Sequence, residues 1–218
     1  MQLNIKPKFS SDLDFSFNNN SIDNIVNTST ADFKTILDRA AQSADRPSAD
    51  DLKTALQAAE LAARKDKLVI PLASLLGEWR LCFATGASKD KQRGGIKLGR
   101  GYYLPKFIPA SITFTQQDDS IEGTVTNQLL VGSIHIQFSG PCRYPGKKNL
   151  LAFDFTDIQF KILGVKVYQG KIRSGKRGQR DFAKLSVASL PFFAFFWASD
   201  RGIAARGRSG GLALWVKD

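Results

Sequence analysis

Two hydrophobic periods divide the chain near residue 67. Before it, Phe33, Ile36, Leu37, Ala40 and Ala41 follow the i, i+3, i+4, i+7, i+8 spacing of a single helical stripe, and Leu52, Ala55, Leu56, Ala59 and Ala63 form a second one. Asp45-Arg46-Pro47 breaks the two apart. Ser48, with Asp51 three residues on, reads as a shortened capping box. Arg64, Lys65 and Lys67 fall at the C-terminal end of the second stripe, where cations suit the helix dipole. The pattern predicts a helical hairpin over residues 28–67, preceded by an irregular polar arm at 1–27. Alanine-rich stripes are too small to form a core alone, so the hairpin is expected to pack on the rest of the chain or to cover one mouth of it.

After Lys67 the period becomes two. Trp79, Leu81 and Phe83 alternate with Glu78, Arg80 and Cys82, as in a half-buried strand. Further strands are predicted at Ser111–Thr115, Ile121–Asn127, Leu129–Phe138, Leu151–Phe155, Ile158–Ile162, Val165–Tyr168, Phe182–Leu190 and Gly211–Lys217, with a turn or bulge at Gly164. A long glycine- and lysine-rich loop is expected from Gly86 to Lys106. Eight or nine strands with short turns predict a mainly β fold, a small antiparallel barrel over residues 68–218.

Gly77-Glu78-Trp79 suits the first strand of such a barrel: the glycine lets the chain turn in, and the indole plugs one end. First and last strands must be neighbours for closure, so Arg206 is expected to lie across Trp79 and to pair with Asp200, with Gly207, Gly210 and Gly211 shaping the final turn. Trp79, Leu81, Phe83, Phe114, Ile136, Phe138, Phe153 and Phe155 are the candidate interior. They either fill it or line a cavity for a hydrophobic ligand.

Charge sharpens this picture. Residues 1–66 carry 8 basic and 10 acidic side chains, and residues 67–218 carry 23 and 10, so the net +11 of the 218-residue chain belongs to the predicted barrel. A basic surface attracts polyanions. The candidate docking residues are Lys89, Lys91, Arg93, Lys97 and Arg100 in the long loop, and Lys171, Arg173, Lys176, Arg177 and Arg180 around a hairpin tip. Leu190–Trp197 is the densest aromatic run; it is either an enclosed strand or an apolar anchor in which Phe192, Phe193, Phe196 and Trp197 enter a bilayer interface. Near an anionic surface each cation contributes roughly 1 kcal/mol. With neither an RNP-like motif nor a KH loop, the chain is not expected to bind nucleic acid.

Other chemistry has little support. His135 is the single histidine, alternating with Ile134 and Ile136, and no carboxylate pair is placed for acid–base work. Neither an enzyme nor a metal site is predicted. Cys82 and Cys142 read as reduced, buried thiols. No apolar run reaches the ~18–20 residues of a membrane span, and Met1–Asn20 lacks the features of a targeting peptide.

Two segments carry a family resemblance: Leu75-Leu76-Gly77-Glu78-Trp79-Arg80-Leu81-Cys82-Phe83-Ala84-Thr85 and the stretch Asp200–Val216, with its Asp…Arg-Gly…Gly-apolar order. The region from about Val69 to Lys217 resembles the plastid lipid-associated (PAP/fibrillin, plastoglobulin) family of cyanobacteria and plastids. The resemblance implies a lipocalin-like barrel at the cytoplasmic face of a thylakoid membrane, or its plastid equivalent, that binds a lipid, quinone or carotenoid and anionic membrane lipids. The strong basicity departs from the usual members and keeps a second expectation open: an assembly or stabilising subunit that grips a photosynthetic membrane protein complex.

Overall fold

The computed structural model describes residues 30–42, 46–89, 96–118, 120–172 and 182–217; the arm predicted at 1–27 lies outside them. The two apolar stripes form helices α1 (Thr30–Gln42) and α2 (Ala49–Lys65). Ser48 caps α2, its Oγ accepting from the Asp51 amide at 3.1 Å. The far end closes in a Schellman arrangement: Leu68 N–H donates to Ala63 O at 2.9 Å and Lys67 N–H to Arg64 O at 3.4 Å, with Lys67 at φ 50°.

Eleven strands follow: β1 (Gly77–Lys89), β2 (Ile96–Tyr103), β3 (Ala110–Gln116), β4 (Glu122–Val131), β5 (Ile134–Arg143), β6 (Leu150–Phe153), β7 (Asp157–Ile162), β8 (Val165–Lys171), β9 (Phe192–Ala198), β10 (Gly202–Gly207) and β11 (Leu212–Val216). Eight of them close an antiparallel ring in the order β1-β3-β4-β5-β6-β9-β10-β11. Each ring strand pairs with the next ring strand in the chain, and β11 returns to β1, with Arg80 opposite Val216 and Leu81 opposite Trp215. This is a lipocalin-like closed barrel, preceded by the helical hairpin.

The other three strands are excursions. β1 and β5 both outrun the barrel at the same end. β1 pairs with β3 through Gly77–Arg80 and then with β2 through Phe83–Lys89. β5 pairs with β6 only at Cys142 and Arg143, and with β7 over residues 134–139. At the changeover a side chain on Gly140 would sit 1.9 Å from the Asp154 carbonyl oxygen, so only glycine lets β5 exchange partners there. The result is a four-stranded extension, β4-β5-β7-β8, rising from the rim.

The hairpin covers the barrel wall, not a mouth. Two bulges make its seat. The register of β1 against β11 shifts between Leu81 and Phe83, and that of β9 against β10 shifts at Phe196. Each bulge turns two successive side chains outward, Cys82 with Phe83 and Phe196 with Trp197, into one cluster with Leu37, Leu52, Leu56 and Leu214. The inner core is separate: Trp79, Ile112, Phe114, Val125, Leu151, Phe153, Phe195, Ile203 and Trp215. Neither cysteine is in a disulfide and both are buried, Cys82 in the outer cluster, where its thiol donates to Ala40 O at 3.6 Å, and Cys142 in the inner one, where burial pushes its thiol up to about 12.

Several sequence expectations are corrected. The segment Gly86–Lys106 is not a loop for most of its length but a long hairpin. Its glycines and lysines hide the period, while β2 is held by Tyr103, whose ring meets Phe83 at 5.2 Å and whose hydroxyl donates to Pro47 O at 2.9 Å. Leu129–Phe138 is two strands around a Gly132-Ser133 turn. Residues 182–190 form two short 3-10 turns, and the strand lies at Phe192–Ala198. β10, read only as part of a closing signature, is a full barrel strand.

Candidate functional site

Trp79, near the start of β1, is buried in the inner core. Gly77, at φ 105°, swings the chain into β1. The Trp79 indole N–H donates to Leu75 O at 2.8 Å, and the cation over its ring is Lys217, with Nζ 4.7 Å from the centroid. Arg206 does not fill that role. It points outward from β10 and grips the hairpin: Nε donates to Glu60 Oε1 at 2.8 Å, Nη2 to Glu60 Oε2, and Nη1 to Gly210 O. Asp200 is an exposed turn residue, and the expected Asp200–Arg206 pair is replaced by Glu60–Arg206. Gly207, Gly210 and Gly211 do shape the β10–β11 turn, with Gly207 N–H donating to Gly211 O at 2.9 Å and Gly210 at φ 97°.

Of the eight interior candidates, Trp79, Phe114 and Phe153 belong to the inner core and Leu81 and Phe155 pack against it. Phe83 does not, because the bulge at Cys82 turns it toward the helices. Ile136 and Phe138 keep the inward face but sit on the extension, above the ring. A chain of rings fills the barrel: Phe114 to Phe195 (6.0 Å), Phe195 to Phe193 (6.2 Å), Phe193 to Trp215 and to Phe153 (5.2 and 5.0 Å), and Phe153 to Phe155 (5.1 Å). Phe138 continues it onto the extension, 5.9 Å from Phe155. Near that rim Phe153, Pro191, Phe192, Phe193 and Arg208 border an open pocket of about 490 Å³.

The predicted aromatic anchor is overturned. Phe196 and Trp197 are buried under α1 and α2, Phe193 packs against the inner core, and Phe192 is a half-buried rim residue. Among the predicted docking cations, Lys97 and Arg100 are exposed on β2, Lys89 ends β1, and Lys171 is exposed but bonded to Asp157 at 2.7 Å. Lys171 and Thr156 hold the Asp157 carboxyl below its usual range. Lys91, Arg93, Arg173, Lys176, Arg177 and Arg180 lie outside the described residues.

An exposed apolar surface lies instead at the extension's apex. The β4–β5 and β7–β8 turns lie side by side: Ile134 faces Ile162, and Leu163 N–H donates to Ser133 O at 3.0 Å. Leu130, Val131, Ile134, Ile162, Leu163 and Val165 are all exposed, Leu163 by 81%. Leu163-Gly164 is a two-residue turn with φ 51° and 79°, where Asn-Gly is the usual choice; the left-handed region penalises leucine. One residue behind the apex His135, Lys161 and Lys166 lie in a row across the sheet. His135 faces Lys161, and Lys161 faces Lys166, a like-charge cross-strand pair that weakens an isolated sheet. His135 itself bonds Gln128 at 3.0 Å. Sequence reasoning located the Gly164 turn but missed the apex, because the two turns become neighbours only through β5–β7 pairing.

No protein-family model, curated protein or solved structure matches the chain. The fold therefore defines the class: a lipocalin-like barrel with an aromatic interior and an apolar apex. Among the described residues no cluster of metal-ligating side chains occurs, and no helix is long and apolar enough to cross a membrane.

Proposed function

We propose that this is a non-catalytic peripheral membrane protein of the PAP/fibrillin kind, acting at an anionic photosynthetic membrane and taking a hydrophobic molecule (lipid, quinone or carotenoid) at the aromatic rim. Leu163 carries the reading. It is costly twice over, in its left-handed backbone and in its exposed side chain, and both costs are offset if the apex enters a bilayer. Lys161 and Lys166 then fall at headgroup depth, where anionic lipid relieves their mutual repulsion. The rim pocket opens at the same end as the apex, so it faces the membrane when the apex is inserted.

The test is flotation of the protein with phosphatidylglycerol-containing vesicles, comparing the parent with Leu163→Asn. Asparagine accepts the left-handed turn, so folding is retained. Losing the burial of one leucine, about 2 kcal/mol, lowers the vesicle partition roughly 30-fold. Equal flotation of parent and variant sinks the proposal. Absence of parent binding to protein-free vesicles also sinks it, in favour of docking on a membrane protein complex.

A further inference from the structure

A second cavity, of about 490 Å³, lies away from the apex, between the C-terminal turn of α2 and the barrel wall. This is within the roughly 300–1,000 Å³ of small-molecule sites. Its apolar lining comes from Ala63, Leu150, Phe195 and Phe196, the last two at the β9 bulge. Its cations come from different elements: Arg64 lies in the last turn of α2, Lys67 two residues past its end, and Lys148 in the β5–β6 connection. Glu60, the acidic group of the lining, is already engaged, its carboxylate receiving both Arg206 and Arg64, the latter at 2.7 Å. Lys67 and Lys148 form no ion pair among the described residues.

The backbone here is held in place at some cost. Five non-glycine residues of the described chain have positive φ, and three border this cavity: Lys67 (50°), Lys148 (59°) and Asn149 (50°). A buried clamp enforces the arrangement. Asn149 Oδ1 accepts from Ile70 N–H at 3.0 Å, its Nδ2 donates to Leu68 O at 2.8 Å, and the Tyr144 hydroxyl donates to Ile70 O at 2.7 Å. The segment after α2 is thereby tied to the β5–β6 connection, and two lysines are displayed from strained backbone beside one apolar trough. Strain of this kind gathers at ligand clamps.

We propose that this cavity binds a single fatty acid, with its carboxylate between Lys67 and Lys148 and its acyl chain against Ala63, Leu150 and Phe196. The charge complement selects an anionic head over a neutral one. The site is separate from the rim pocket and the apex, and stands whether or not the apex enters a bilayer.

The experiment is displacement of fluorescent parinaric acid from the full chain by laurate and by dodecanol. Laurate is expected to compete saturably and about tenfold more strongly than dodecanol. The double variant Lys67→Asn/Lys148→Asn keeps residues that tolerate the left-handed region, so it folds; it should lose that tenfold preference with dodecanol unchanged. Ala63→Phe, which fills the trough, should abolish the preference for laurate, whereas Leu163→Asn should leave it unchanged. Equal competition by laurate and dodecanol in the parent, or a preference that survives removal of both lysines, overturns the proposal. So does a preference for laurate over dodecanol that persists in a folded Ala63→Phe protein.

Discussion

Removing the Glu60 carboxylate should loosen the helical hairpin from the barrel. Glu60 receives Arg206 in a two-point grip, and the side chains are only 11% and 21% exposed. Solvent-exposed ion pairs contribute about 0.2–1 kcal/mol, and breaking fully buried ones costs about 3–5 kcal/mol. This pair lies nearer the buried limit but retains some water, which places Glu60→Ala at about 2–3 kcal/mol. Arg64, the second partner of Glu60, is 72% exposed and should contribute less than about 0.5 kcal/mol. For a chain of this size about 2.5 kcal/mol corresponds to a fall in Tm of roughly 5–10 °C. Urea unfolding of the parent, Glu60→Ala, Arg206→Ala and the double variant closes a cycle, with Arg64→Ala as the exposed control. A Glu60–Arg206 coupling near 2 kcal/mol is expected. A coupling below about 0.5 kcal/mol, or an Arg64→Ala effect as large as that of Arg206→Ala, would refute the claim that this pair anchors α2 to β10.

Two other perturbations probe the extended hairpin and the base of the β7–β8 hairpin. A Cβ on Gly101 would lie 2.1 Å from Phe83 Cζ, so Gly101→Ala should cost about 1–3 kcal/mol in urea unfolding, while Gly86→Ala, which meets nothing within 4 Å, should stay within about 0.5 kcal/mol. Asp157 has a folded pKa below its ordinary value of about 3.9, so its bond to Lys171 stabilises the β7–β8 hairpin above that pH and is lost as pH falls through the lower folded value. Urea midpoints should therefore separate parent from Asp157→Asn at pH 6 and converge as pH falls through the lowered folded value; a gap independent of pH counts against that assignment.

Most single elements were legible because their signals are local. The helical stripes, the Ser48 cap and the period-2 runs at Trp79, Phe153 and Val165 depend on residues within a turn or two of one another. β2 was hidden because its inward contacts are few, Leu98 and Tyr103 against the hairpin, and glycine or cations occupy much of the rest. The sites escaped for a different reason. Glu60 and Arg206 are 146 residues apart, and nothing near either names the other.

Side-chain spacing thus dictates which stretches become helices and strands, and the first-to-last pairing follows from closure alone. Which way a side chain faces is decided later. Period two puts Phe83 beside Trp79 and Leu81, yet the bulge against β11 sends it to the helices, and the bulge at Phe196 does the same for a predicted membrane anchor. The alternation of a strand belongs to its own backbone, whereas bulges, partner exchange at Gly140 and the meeting of two turns at the apex arise only when several strands settle their register together.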